Sequence, residues 1–306
     1  MLSITIPIYN EAGSIGLLYD KVRKAMEQHG QPWELVLVND GSTDGSDELL
    51  DEIAAKDARV KVVHFRRNFG QTAAMMAGFD FSTGEVVIPM DGDLQNDPQD
   101  IPVLLAKLEE GFDVVSGWRK DRQDNALKRN LPSIMANRLI SWVSGVRLHD
   151  FGCSLKAYRR EVLEGVRLYG EMHRFLPIYA KWHGAEIAEV VVRHHARAHG
   201  NSKYGLERVL KVIADLITVK FLDRFQQKPM YLFAGVGLLF LVVSFITFLV
   251  SFFVDRSLCA MVVITGSAGV LCVLMGLLAE MIVRTFYESQ GKRVYLVRAT
   301  RNVESK

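Results

Sequence analysis

The sequence predicts an α/β fold, a mostly parallel sheet with helices on both faces, followed by a membrane-associated segment. Three observations carry that prediction. Short β-rich runs alternate with amphipathic stretches along the first 116 residues. The turns behind the first four runs collect polar groups. Two long stretches, 230–254 and 258–279, carry no charge at all.

The first β-rich run is Leu2–Ile8, followed by Glu34–Val38, Val60–Phe65 and Glu85–Met90, with Asp113–Ser116 as a fifth. Helical patterns fill 13–28, 45–56, 70–82 and 98–110. Strand-helix alternation at this spacing favours a parallel sheet covered on both faces. Ligands of open α/β sheets lie just past the carboxyl ends of the strands. At those positions stand Pro7-Ile8-Tyr9-Asn10-Glu11, Asn39-Asp40-Gly41-Ser42-Thr43-Asp44, Arg66-Arg67-Asn68-Phe69-Gly70 and Asp91-Gly92-Asp93-Leu94-Gln95. No G-x-G-x-x-G follows the first run and no Walker A loop is present, which disfavours a dinucleotide dehydrogenase or a P-loop NTPase.

The chain has 306 residues, 49% of them hydrophobic, and that content is unevenly spread. Each uncharged stretch exceeds the roughly 20 apolar residues that span a bilayer as a helix. With only Asp255-Arg256-Ser257 between them, the two form a hairpin. Basic flanks orient such hairpins. Residues 193–228 hold eight Lys/Arg against three Asp/Glu, and 284–306 hold six against two, so both termini are expected in the cytoplasm. Residues 1–192 are acidic, with 28 Asp/Glu against 22 Lys/Arg, which argues against nucleic acid as a partner. A basic collar beside an acidic domain suits anionic lipid headgroups. Within 205–228, Leu206, Val209, Leu210, Ile213, Leu216, Ile217 and Phe221 share one helical face, as in a helix lying on a bilayer. A soluble helix packed on the sheet is the alternative. The start, Met1-Leu2-Ser3-Ile4-Thr5-Ile6-Pro7, lacks a basic region and a long apolar run and does not read as a signal peptide. Cys153, Cys259 and Cys272 have no paired or metal-ligand spacing, consistent with a reduced compartment. The expected organisation is a cytoplasmic domain over 1–204, the interfacial helix over 205–228, the hairpin over 229–283 and a basic cytoplasmic tail over 284–306.

Asp91 and Asp93 are the chemically telling pair. Two carboxylates one residue apart repel unless a cation lies between them, and hard oxygen ligands suit Mg2+ or Mn2+ shared with phosphates. Alternatively, they form a turn or cap a helix starting near Pro98. Asp40 has the alternative of a turn or cap, Pro7 and Tyr9 that of strand-end packing, and Arg119 and Arg129 that of solvated surface arginines. His149, His194 and His195 match no metal spacing and read as surface groups.

Taken together, the four strand-end motifs, with Arg67-Asn68-Phe69-Gly70-Gln71, Gly200-Asn201-Ser202-Lys203-Tyr204, the hairpin and Arg284-Thr285-Phe286-Tyr287-Glu288, resemble family 2 glycosyltransferases. More narrowly, they resemble the polyisoprenyl-phosphate glycosyltransferases, which include dolichol-phosphate mannose synthase, the bactoprenol glucosyltransferases and the undecaprenyl-phosphate aminoarabinose transferase. The resemblance implies a GT-A type nucleotide-sugar-binding sheet, an interfacial helix and two C-terminal transmembrane helices in an inner (cytoplasmic) membrane. It implies a nucleotide-sugar donor, UDP-glucose by default, and a polyisoprenyl phosphate acceptor, undecaprenyl phosphate in a bacterium, with inversion at the anomeric carbon. Members often form homotetramers.

By the same resemblance, Asp93 ligates Mg2+ or Mn2+, Asp91 touches metal or ribose, and Gln95 completes that site. Asp40 meets base or ribose, while Pro7, Tyr9 and Glu11 line the base pocket. Arg119 and Arg129 meet donor or acceptor phosphates. Arg197, Ser202 and Lys203 belong to a loop that closes over the diphosphate, or to the basic collar, or to both. Asp150, in His149-Asp150-Phe151-Gly152-Cys153, stands on the acceptor side or caps a strand. Since a phosphate acceptor has a second pKa of about 6, a strong base is not essential, and Asp150 is expected to orient rather than deprotonate. A processive polysaccharide synthase is the first rival, but its Gln-x-x-Arg-Trp motif is not matched by Tyr179-Ala180-Lys181-Trp182. A non-catalytic nucleotide-binding membrane scaffold is the second, opposed by the intact polar strand ends.

Overall fold

The computed structural model describes residues 1–120, most of 137–168, 172–195 and 294–303, with a few positions between 267 and 285. Arg129, Arg197, Ser202, Lys203, the proposed interfacial helix and most of the hairpin lie outside the described residues. The chain divides into two compact units, Met1–Asp215 with Val294–Lys306, and Leu216–Arg293. Among the described residues no helix is long and apolar enough to cross a membrane.

The first unit is built on an eight-stranded sheet. Its strands are β1 Leu2–Ile8, β2 Trp33–Asn39, β3 Val60–Phe65, β4 Val86–Pro89, β5 Val114–Trp118, β6 Lys156–Arg159, β7 Ile187–Val191 and β8 Val297–Arg301, in the order β7-β5-β6-β4-β1-β2-β3-β8. The β1–β2, β2–β3, β1–β4 and β5–β7 pairs are parallel. β6 runs against both β4 and β5, and β8 runs against β3. Central strands of such sheets are covered on both faces, which favours unbroken apolar runs. Accordingly Ile4, Ile6, Ile8, Val36, Val38, Val62 and Val63 have 2% exposure or less.

Helices α1 Ile15–His29, α2 Ser46–Lys56, α3 Gln71–Phe81 and α4 Ile101–Glu109 connect the parallel strands. α1 buries Ile15, Leu18, Val22, Ala25 and Met26, the spacing of one helical face. It stops at Gly30, whose left-handed φ of 79° lets its N–H return to the Met26 carbonyl. Asp97 accepts the Gln99 N–H at the 3-10 turn Pro98–Asp100 that leads into α4. That cap therefore belongs to Asp97, not to Asp91 or Asp93. Among the described residues, the short helices α5 Arg160–Leu163 and α6 Leu176–Trp182 follow.

The five expected strands and four expected helices are present, with ends moved by at most three residues. Strands β6, β7 and β8 add to them. β8 draws part of the basic 284–306 segment into the sheet. Its Arg298 and Arg301 meet Asp47 and Asp51 of α2 at 3.1 and 2.8 Å.

Candidate active site

The carboxyl ends of β1, β2, β3 and β4 converge through their loops. Asn10, with a positive φ of 56°, donates its N–H to Ser42, and its own side-chain oxygen accepts the Thr43 N–H. The Glu11 and Ala12 amides donate to Ser46 and Asp44. The loop after β1 is thus fastened to the loop after β2. Pro7 is half-buried in β1, Tyr9 is 44% exposed beyond it, and Glu11 accepts the Ser14 hydroxyl at 2.9 Å.

Asp40 is buried at 3% exposure, and its two oxygens accept the Phe69 and Gly70 amides at 2.7 and 3.0 Å. It therefore holds the loop after β3 rather than a turn of its own. Burial raises its pKa, and the two amides only partly offset that. Gly41 explains why a side chain is missing next door. Its φ is +69°, and a Cβ there would lie 2.5 Å from the Arg67 backbone.

Behind β4, Asp91 accepts a hydrogen bond from the Gln71 side chain at 2.8 Å, and Asp93 accepts the Gln95 N–H at 3.2 Å. The turn reading of Asp93 is thus realised, in the tight Asp93-Leu94-Gln95 bend where Leu94 has a φ of 63°. Gly92 is required by close approach, because a Cβ would lie 2.8 Å from Ile8 and 3.2 Å from the Pro7 carbonyl. Gln95 reaches the segment behind β7. Its side chain donates to the His195 carbonyl at 3.5 Å and its own carbonyl accepts the His195 N–H. Among the described residues no cluster of three or more potential ligand side chains is present. Two half-buried carboxylates on one bend fit a cation that takes its remaining ligands from phosphate and water. They do not fit an all-protein cage.

Arg119, just past β5, is no surface arginine. Its side chain is 11% exposed and forms a two-pronged pair with Asp150 at 2.7 and 3.0 Å, Asp150 itself being 5% exposed. Burial disfavours the Arg119 charge, but the Asp150 hydrogen bonds and charge raise its pKa further above the ordinary value, and Asp91 adds to the same effect. Asp150 also accepts the Gly152 N–H at 3.1 Å, while Glu189 of β7 accepts the His149 and Asp150 amides. His149 stacks on Trp118 at 4.2 Å and meets Glu189 at 2.7 Å. His194, expected at the surface, is 8% exposed instead, because a bridge between Asn96 and His194 draws it under the Asp91 loop.

Several neighbours escaped the sequence reading. Lys156 of β6 is 3% exposed, with its ammonium on the Phe151 and Cys153 carbonyls. Burial lowers its pKa, while the Asp150 and Asp91 charges work against that. Asn96 accepts the Asp91 amide and the Ser154 hydroxyl, bracing the Asp91 bend from the segment just before β6. A polar side chain inside an apolar run, as at Lys156, was the available signal. Cys153 has its thiol pushed up to about 11 by burial, so it packs as a small apolar group and not as a nucleophile.

The profile of glycosyl transferase family 2 matches residues 3–167, more than half of the chain. This chain belongs to glycosyl transferase family 2. It is a glycosyltransferase, and a second profile, the GtrB C-terminal hairpin, matches 228–285. Dodecaprenyl-phosphate galacturonate synthase of Rhizobium johnstonii is 42% identical over 97% of this chain and 92% of that protein. Undecaprenyl-phosphate 4-deoxy-4-formamido-L-arabinose transferase of Pseudomonas aeruginosa is 42% identical over 71% of this chain and 64% of that protein. Glucosyl-3-phosphoglycerate synthase of Mycobacterium tuberculosis, crystallised with Mn2+, UDP and phosphoglyceric acid, aligns with a TM-score of 0.56. It covers 73% of this chain and 78% of that one at 20% identity, which shows the shared GT-A-like fold.

Proposed function

We propose that this glycosyltransferase moves a sugar from a UDP-sugar to a polyisoprenyl phosphate at the cytoplasmic face of a membrane. The observation that carries the proposal is the pairing of the strand-end site with the hairpin profile at 228–285. The polyprenyl-phosphate names of the two relatives support it. The uncharged stretches form the two spans, and the acceptor is undecaprenyl phosphate in a bacterial inner membrane.

Asp93 and Asp91 hold Mg2+ or Mn2+, with Gln95 shaping the bend. The ion supplies charge for the departing diphosphate. Asp40 takes the nucleoside end, alongside Tyr9, Pro7 and Glu11. Each Asp40 oxygen already accepts one amide, and a carboxylate oxygen can accept a second. Arg119 presents a fixed guanidinium to a phosphate, with Arg129, Arg197, Ser202 and Lys203 adding charge and hydroxyl from outside the described residues. Asp150 orients that arginine. Its engagement with Arg119 and the Gly152 amide suits an orienting role better than proton abstraction. The lipid phosphate attacks the anomeric carbon in one displacement, and the nucleotide leaves as its diphosphate.

A partition assay tests this reading. Full-length protein in detergent receives undecaprenyl phosphate, Mn2+ and radiolabelled UDP-galacturonate, UDP-glucose, UDP-N-acetylglucosamine or a UDP-pentose. The full-length relative puts galacturonate first in that panel, beside the glucose expected from sequence. Label from one donor should enter the organic phase only when lipid phosphate and metal are both present. Label in polymer would favour the synthase, and bound nucleotide without any transfer would favour the scaffold.

A further inference from the structure

We infer that Tyr295, far along the chain from every strand-end motif, is a positioning residue for the nucleoside end of the donor site. The inference rests on the proposed role of Asp40. Tyr295 lies two residues before β8 and is 3% exposed. Its ring stacks on Phe65 at 4.8 Å with 16° between planes, and Phe65 meets Phe69 edge-on at 5.7 Å. Phe69 is the residue whose amide donates to Asp40 at 2.7 Å. Three aromatic rings thus connect the C-terminal segment to the buried carboxylate.

The loop between them, Arg66–Gly70, is held at both ends. The Leu296 carbonyl accepts the Arg66 N–H at 3.0 Å, and Asp40 accepts the Phe69 and Gly70 amides. The Arg67 guanidinium covers the Phe69 ring at 4.3 Å, and Gly41 packs against the Arg67 backbone. Tyr295 is anchored on its far side, its hydroxyl donating to Asp80 of α3 at 2.7 Å. Stacked and edge-on ring pairs favour fixed separations, so the Tyr295 ring fixes Phe65 and Phe69, and Phe69 fixes the backbone that meets Asp40. The Asp40 carboxylate then faces a nucleoside from one position. β8 follows the segment that carries the hairpin profile. The residues that close this loop therefore arrive only after that hairpin has been made.

The test uses the full-length protein in detergent with Mn2+. Amide exchange of Phe69 and Gly70 is followed by mass spectrometry, and UDP affinity by calorimetry. Tyr295→Ala should accelerate exchange at those amides and weaken UDP about tenfold, while Tyr295→Phe, which keeps the ring, stays within twofold of wild type in both. Wild-type exchange and affinity in Tyr295→Ala would overturn the inference, as would equal damage from Tyr295→Phe. Asp40→Asn separates the two readings. If it leaves UDP affinity unchanged, the nucleoside role of Asp40 fails, and amide exchange still decides whether Tyr295 holds the loop.

Discussion

At the residue scale, the site consists of acids and bases with assigned partners. Asp91 and Asp93 lie on one bend, yet each takes a different neighbour, Gln71 and the Gln95 amide. Replacing Asp93 by Asn removes one charge while leaving an oxygen to accept that amide. Turnover should fall at least about a hundredfold, as for loss of a group that stabilises developing charge. Folding should be unchanged, and kcat with a thermal melt checks both. Wild-type turnover would remove Asp93 from the metal site. Arg119 and Asp150 behave as a unit. Asp150→Ala leaves a buried guanidinium unpaired and should cost about 3–5 kcal/mol of stability, measured by denaturant unfolding of detergent-solubilised protein. The acid pair was legible from its place behind an apolar run. The Arg119–Asp150 contact was not, because the partners are 31 residues apart and no local pattern joins them.

At the element scale, the loops behind the strands are set by backbone contacts that tolerate no side chain. Gly41→Ala brings a Cβ against the Arg67 backbone at a positive φ and should destabilise by about 1–3 kcal/mol. It should also displace the β3 loop from Asp40, raising the KM for the donor. Gly145→Ala, at a φ of +76° with open space around its Cβ, serves as the strain-only control. A second element-scale prediction concerns acid. His173, in the turn Met172–Phe175, contacts Thr72 of α3 at 2.7 Å. Burial, aided by the Arg174 and Lys156 charges, lowers its pKa to about 3. The folded state therefore holds it neutral, while the unfolded chain protonates it near pH 6.5. Between those values the unfolded state binds the extra proton, so stability falls with falling pH, by at most about 1.4 kcal/mol per unit from this group. His173→Gln should flatten the stability profile between pH 6.5 and 3, read from unfolding midpoints across that range. An unchanged profile would assign the acid sensitivity elsewhere. Strands β1 to β5 were visible as apolar runs with helices between them. β6, β7 and β8 were not, because charged residues interrupt each of them, Lys156 and Arg159 in β6, Glu189 in β7, and Arg298 and Arg301 in β8.

At the scale of the whole molecule, a GT-A-like sheet and a family hairpin occupy one chain, and the segment after the hairpin returns to the sheet edge as β8. Composition made the hairpin legible, since two charge-free stretches need no tertiary information to be recognised. The return of Val297–Arg301 to β3 was hidden because a basic tail and a paired edge strand look alike until Arg298 and Arg301 find Asp47 and Asp51. Removing 229–283 and rejoining the ends through a flexible linker should give a protein that leaves the membrane fraction. The variant should keep UDP binding and lose transfer to lipid, as sedimentation and calorimetry would report. The central claim is that a lipid phosphate displaces the whole nucleotide diphosphate from the sugar. The most direct measurement is the pair of products from one reaction with undecaprenyl phosphate, nucleotide by chromatography and lipid by mass spectrometry. UDP released in equal amount to a lipid monophosphate bearing one sugar is the predicted result. UMP with a lipid diphosphate, or a lipid bearing a growing chain, would contradict it.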